Sequence, residues 1–313
     1  MCGRYTLKTP APQLVEIFDV ADPLQLSPRF NIAPTQLVLC VLTDGDADGP
    51  ERHRYFANLR WGLIPSWSRT DSGAARMIKA RSETIAEKPA FRSAFRQRRC
   101  LIPADGFFEW EKRSDGSRQP WYLQLQDQSV FAMAGIWEIW HPHRSDSMSA
   151  NRSGAALSSH TVASDLLLRP QDSAPPAAHS TAGTNPFVWS CAVLTTTANS
   201  DVEALHQRMP VILPVELWDT WLNPDSDAGR LLEVLQPLPA GSLFRHRVTR
   251  AMGTPSFTGP ECVQPLPEQT AAPRSETTSS TAIETANKDP ARGSRGRRRG
   301  HHPDARQRSL FDD

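Results

Sequence analysis

The chain has 313 residues, 39% of them apolar, with 27 prolines and a formal net charge of +1. That allows one substantial core diluted by unfolded segments, while no run of about 18 apolar residues is present to span a bilayer. The 5 cysteines are scattered, without a CxxC pair, so neither a disulfide framework nor a zinc site is indicated; the start lacks a signal peptide's apolar core, and a cytoplasmic protein is expected.

The first residues are Met1-Cys2-Gly3-Arg4-Tyr5. Methionine before a residue as small as cysteine is normally trimmed, leaving an amine and a thiol on one residue. Such a pair takes an aldehyde first as an imine on nitrogen and then closes sulfur onto the same carbon, giving a thiazolidine. Reference pKa values of about 8.5 for the thiol and about 7.7–8.0 for the amine put both near working pH. Cysteine after an initiator is also commonly accidental.

Thr9-Pro10 followed by Leu14, Ile17 and Phe18 predicts a short capped helix. Arg29 to Thr35 reads as an irregular turn, Gln36 to Thr43 as a buried strand, Asp44 to Pro50 as a surface loop and Tyr55 to Trp61 as a second strand. Trp61 and Trp67 flank a Gly and a Pro, so this stretch forms either a loop wall able to stack on a base or a cap on the core. From Arg76 to Arg99, eight basic residues (Arg76, Lys79, Arg81, Lys88, Arg92, Arg96, Arg98, Arg99) stand against Glu83 and Glu87. This is a surface for a polyanion or a solvated helix face. Ile78 to Thr84 is expected to open a helical stretch, interrupted at Pro89, with Phe91 and Phe95 inward.

Cys100 to Trp110 reads as strand, bend, strand, with Glu109 among Phe107, Phe108 and Trp110. That carboxylate lies on an exposed strand face or is buried for acid–base use with a raised pKa. Arg113 to Ser117 is a hairpin turn before the Trp121–Leu125 strand, and Phe131 to Trp140 is a further strand. Residues 141–186 are expected to be a low-complexity, disordered insertion between neighbouring strands. Phe187 to Thr197 resumes as a strand, and Ala198-Asn199-Ser200 should cap a short helix leading to His206, a surface or a loop-borne catalytic histidine. Leu217, Trp218, Trp221 and Leu231 to Leu235 supply two more helices. Residues 268–313 form a basic tail.

Together, Cys2-Gly3-Arg4-Tyr5, Phe30 to Pro34, Arg60 to Trp67, Ala80 to Thr84, Arg99 to Trp110 and His206 to Pro210 resemble the SRAP family (SOS-response-associated peptidase) over residues 2–267. The resemblance implies an α+β fold, a curved β-sheet or barrel with surrounding helices, and covalent capture of abasic sites in single-stranded DNA during the damage response. It assigns Cys2, Glu109 and His206 to the chemistry, and Arg4, Asn31, Pro34, Trp61 and Arg81 to DNA. Glu109 would handle protons at the Cys2 amine and His206 would help open the deoxyribose hemiacetal. The family's asparagine is here Lys79. A lysine pointing at Cys2 favours thiolate and lowers the amine's pKa, one pointing outward contacts phosphate, and a third outcome is weakened lesion handling. Retained crosslinking with altered rate or reversibility is the favoured reading.

No metal or organic cofactor is required by that chemistry, no membrane is involved, and a monomer is expected, nucleoid-associated in a bacterium or nuclear in a eukaryote. Gln307, Leu310 and Phe311 resemble the short peptide by which bacterial repair proteins dock on the sliding clamp. Competing readings are a thiol peptidase, with removal of Met1 as its minimal activity, and a noncatalytic single-stranded DNA binder; lyase cleavage through the imine is a side activity of the first.

Overall fold

The computed structural model describes residues 3–21, 25–44, 53–142 and 187–267. Met1, Cys2, most of the 141–186 segment, and the tail with Gln307, Leu310 and Phe311 lie outside them. In chain order the elements are β1 (Tyr5–Leu7), α1 (Ala11–Phe18), β2 (Arg29–Ile32), β3 (Leu37–Thr43), β4 (Arg54–Trp61), β5 (Lys79–Arg81), α2 (Arg92–Gln97), β6 (Arg99–Ala104), β7 (Gly106–Lys112), β8 (Arg118–Leu125), β9 (Phe131–Trp140), β10 (Val188–Thr197), β11 (Arg208–Pro210), β12 (Ile212–Leu213), α3 (Trp218–Leu222), α4 (Ala228–Glu233) and β13 (Leu243–Arg247).

The β-branched and apolar runs of β3, β4, β6, β9 and β10 close on themselves. β10 pairs with β4, β4 with β3, β3 with β6, β6 with β9, and β9 returns to β10. A five-stranded barrel is narrow and needs small interior side chains. Cys40 and Cys191, on strands that are not neighbours, approach to 4.0 Å between sulfurs, so they meet across the interior. Gly135 has no room for a side chain, because an added Cβ would lie 2.7 Å from Cys100 Sγ. The second sheet is antiparallel in the order β13, β8, β7, β1, β2. The chain crosses from barrel to sheet at Asp105-Gly106. The Asp105 carboxylate accepts from the Lys8 and Thr9 amides and the Thr9 hydroxyl, and a Cβ on Gly106 would lie 2.4 Å from the Tyr122 ring.

Five expectations of the fold need correction. Arg29 to Ile32 is not part of a turn but the strand β2, paired antiparallel with β1. Thr9 does not cap α1; its hydroxyl turns to Asp105, and Pro10 occupies the cap position. Ile78 to Thr84 does not begin a helix. Lys79, Ala80 and Arg81 pair in parallel with Val193, Leu194 and Thr195, because β4 leaves that edge of β10 at Gly62. Its φ of +131° and the 2.7 Å approach an added Cβ would make to Ala74 O suit only glycine. Residues 200–205 form successive turns instead of a regular helix, although the Asn199 side-chain oxygen does accept the Asp201 amide at 3.2 Å. Arg99 is no part of a polyanion surface. It is buried, with its guanidinium donating to Phe95 O, Arg96 O, Trp221 O and Asn223 O.

Candidate functional site

The first strand organises the site. β1 runs antiparallel to β7 with Tyr5 opposite Phe107, and the Phe108 amide donates to Arg4 O at 3.0 Å. Following that register outward brings Gly3 level with Glu109. The carboxylate is 1% exposed, which decides between the two readings of a strand glutamate in favour of burial. Burial pushes its pKa up to about 7, against the opposing pull of the amino-terminal charge, Lys79 and the Trp110 amide. Near neutrality such a group both accepts and donates protons.

Lys79 on β5 is half-buried. Its positive charge acts on both Glu109 and His206. His206 lies in the connection from β10 to β11. Burial, with the amino-terminal charge and Lys79 adding to it, lowers its pKa to about 4. It is therefore a neutral imidazole at physiological pH. Its Nδ1 accepts the Arg208 amide at 2.8 Å, which leaves the ring proton on Nε2.

Arg4 is held by neighbours: its guanidinium donates to Asn31 Oδ1 at 2.8 Å, Met252 O at 3.2 Å and Gly253 O at 3.0 Å. Asn31 is buried, and its amide donates to Met252 O, Thr254 O and Phe257 O. It anchors the segment beneath Arg4 and offers no free face to DNA. Trp61 also falls inside, 1% exposed, with its indole bonded to Ile78 O at 2.8 Å and its ring edge-on to Tyr5. The expectation that Trp61 meets DNA is thereby corrected, because an enclosed ring cannot stack on a base. Trp67 is the accessible member of the pair at 64%. Its loop leaves β10 after β4 and returns on β5, tied by Arg60 to Asp71 at 2.9 Å and by Trp140 to Ser68 O at 2.7 Å. Arg81 is exposed and Pro34 half-exposed.

Sequence reasoning did not single out the pairing of Glu83 with Arg208, whose guanidinium meets both carboxylate oxygens at 2.5 and 2.9 Å. The available signal was one charge of each sign in two separate motif blocks. Among the described residues, no His, Cys, Asp or Glu group is arranged to hold a metal ion, and no helix is long and apolar enough to cross a membrane.

Barrel and second sheet together define a β-barrel protein with a buried carboxyl on the strand beside its first. The chain belongs to the SRAP family: the model of that family, described as SOS response associated peptidase, matches residues 1–255. It is 31% identical over 268 residues to the abasic site processing protein YoqW of Bacillus subtilis (strain 168), covering 84% of this chain and 99% of the relative. To the abasic site processing protein HMCES of Gallus gallus it is 25% identical over 248 residues, covering 71% of this chain and 60% of that one. A solved protein from Bacteroides thetaiotaomicron shares the fold with a TM-score of 0.61 at 21% identity, covering 85% of this chain and all of the other.

Proposed function

We propose that this chain processes abasic sites in single-stranded DNA by covalent capture on Cys2 after Met1 is removed. The observation that carries the reading is the enclosed Glu109 carboxyl, poised near pH 7 on the strand that pairs with β1. The relatives' names supply the substrate class. In the reaction the Cys2 amine adds to the C1′ aldehyde, giving a carbinolamine. Loss of water gives the imine, and the thiol adds across it, sulfur to carbon and proton to nitrogen. The net product is a thiazolidine and one water.

Glu109 takes a proton from the Cys2 ammonium, freeing the amine that adds to the aldehyde, and returns one to the departing hydroxyl. Lys79, as a fixed positive charge, favours the neutral amine and the thiolate of Cys2. Neutral His206 presents Nε2–H to the sugar. Arg81 meets a phosphate and Trp67 stacks on a base. Trp67→Ala is expected to weaken noncovalent single-stranded DNA binding by about 1–3 kcal/mol, measured by fluorescence anisotropy; unchanged affinity removes the stacking role.

The test is denaturing electrophoresis of the Met1-processed protein with an oligonucleotide carrying one abasic site. A reductant-independent adduct that is lost in Cys2→Ala is expected. Full noncovalent binding with no adduct in either protein makes this chain a DNA binder only, and cleavage of unrelated peptides makes it a peptidase.

The remaining thiols are silent. Cys40, Cys100, Cys191 and Cys262 are free and buried, and burial raises each pKa, so none is a competing nucleophile. A thiol-specific chromogenic disulfide is expected to react with Cys2 alone in the native protein and with all 5 cysteines after denaturation. Rapid native labelling of Cys262 or a barrel cysteine contradicts this.

A further inference from the structure

The Glu83–Arg208 pair stands outside the capture chemistry but is joined to one of its groups. Arg208 directs Nη1 to Glu83 Oε1 at 2.5 Å and Nη2 to Glu83 Oε2 at 2.9 Å. Nη2 also reaches Thr195 O at 2.6 Å, and Thr195 is the register partner of Arg81 on β5. Three segments, the turn after β5, the end of β10 and the start of β11, are thus gathered at one guanidinium. The backbone amide of the same arginine donates to His206 Nδ1 at 2.8 Å. A neutral imidazole has one donor and one acceptor nitrogen, so this bond selects the tautomer. The Glu83 side chain is 49% exposed, and an ion pair so open to water adds little to stability. Its geometric effect is therefore the larger one, since the planar fork of arginine fixes both direction and distance.

We propose that Glu83 is a positioning residue for His206: by clamping Arg208 it holds the imidazole as the Nε2–H tautomer, so that the ring offers a donor to the deoxyribose ring oxygen. The inference rests on the abasic-site reading and assigns the sugar-opening step of that reaction to this assembly. In the step the C1′–O4′ bond breaks and its electron pair goes to O4′, which takes a proton from water. The C1′ hydroxyl gives its proton to water and becomes the aldehyde carbonyl. His206 keeps its own proton throughout and stabilises the charge developing on O4′, as a neutral imidazole can. Lysine at position 208 retains the charge but cannot bridge both carboxylate oxygens.

Two measurements test this on the full-length processed protein. Nitrogen-15 correlation spectra of His206 are expected to show the Nε2–H form in wild type and a mixture of tautomers in Glu83→Gln and Arg208→Lys. Single-turnover capture is then compared on two oligonucleotides, one with a natural abasic site and one with an acyclic aldehyde that cannot close to a hemiacetal. Both variants should capture the natural site about tenfold more slowly or worse, the scale on which outer hydrogen-bond partners act, and the acyclic aldehyde at the wild-type rate. Equal slowing on both substrates makes the pair merely structural and overturns the proposal, as do unchanged rates or an unchanged tautomer. Wild-type protein that captures neither oligonucleotide refutes the abasic-site reading itself.

Discussion

Glu109→Gln is expected to slow adduct formation by about 10²–10⁴-fold, the usual contribution of a positioned acid–base group. Noncovalent DNA affinity should be unaffected, because the side chain is enclosed. In the parent the rate should change slope near pH 7, where burial places the carboxyl, and that inflection should vanish in the variant. No inflection near pH 6.5 is expected from His206, whose pKa is lowered to about 4. The stability consequence has a definite sign. A carboxylate whose folded pKa lies above its unfolded value binds more protons folded than unfolded, so stability falls as pH rises from about 4.5 to 7. The cost of keeping Glu109 charged in the fold reaches about 3 kcal/mol by pH 8, and the isosteric amide removes it. Glu109→Gln should therefore be nearly inactive yet more resistant to urea at pH 8, with the difference shrinking toward pH 4. A variant less stable at pH 8 than the parent would mean that the carboxylate is held for structure.

Arg99→Ala carries the largest expected loss of stability. The guanidinium supplies donors to four backbone carbonyls, those of Phe95, Arg96, Trp221 and Asn223, and so joins α2 and β6 to the end of α3. Asn223 O keeps the Ser226 amide, but the carbonyls of Phe95, Arg96 and Trp221 lose this donor, each at a cost of about 1–3 kcal/mol in a buried setting. The sum exceeds about 4 kcal/mol, a value that few single substitutions reach. Burial lowers the pKa of this guanidinium to about 10, the mark of a charge kept inside for its hydrogen bonds. Urea unfolding of the variant measures the effect. A loss below about 1 kcal/mol would show that water replaces these donors without difficulty.

The barrel strands were legible because their composition was. β3, β4, β6, β9 and β10 are runs of β-branched and apolar residues bounded by turn signals, and β9 and β10 are antiparallel neighbours despite the long segment between them. What escaped were the short elements that exist only through their partners. Lys79-Ala80-Arg81 has no strand signature; it is extended because β10 presents a free edge once Gly62 turns β4 away. Arg99 ended a run of surface arginines in the sequence, yet α2 and the end of α3 cover it through the carbonyls it binds, a distinction that charge counting misses. Trp61 and Trp67 looked equivalent, whereas Trp61 is buried and bonded to Ile78 O, immediately before β5, and Trp67 is left exposed.

At the site, neither Glu109 nor His206 stood out as an isolated residue, and it was the joint occurrence of six blocks that raised them. Their electrostatic state was beyond the sequence, because it depends on burial and on a lysine brought from another strand. The Glu83–Arg208 pair was equally hidden, its two members lying 125 residues apart in the chain.

The central claim is that one residue, Cys2, supplies both nucleophiles. The direct measurement is mass spectrometry of the adduct after nuclease and protease digestion, with peptides covering Cys2 and Lys79 resolved. The expected result is a sugar remnant on the Cys2 peptide, formed with loss of one water, with the thiol no longer alkylatable and the mass unchanged by borohydride. A remnant on Lys79, or one on Cys2 that borohydride reduces while the thiol stays free, would contradict the account, since either is an open imine and not the closed ring.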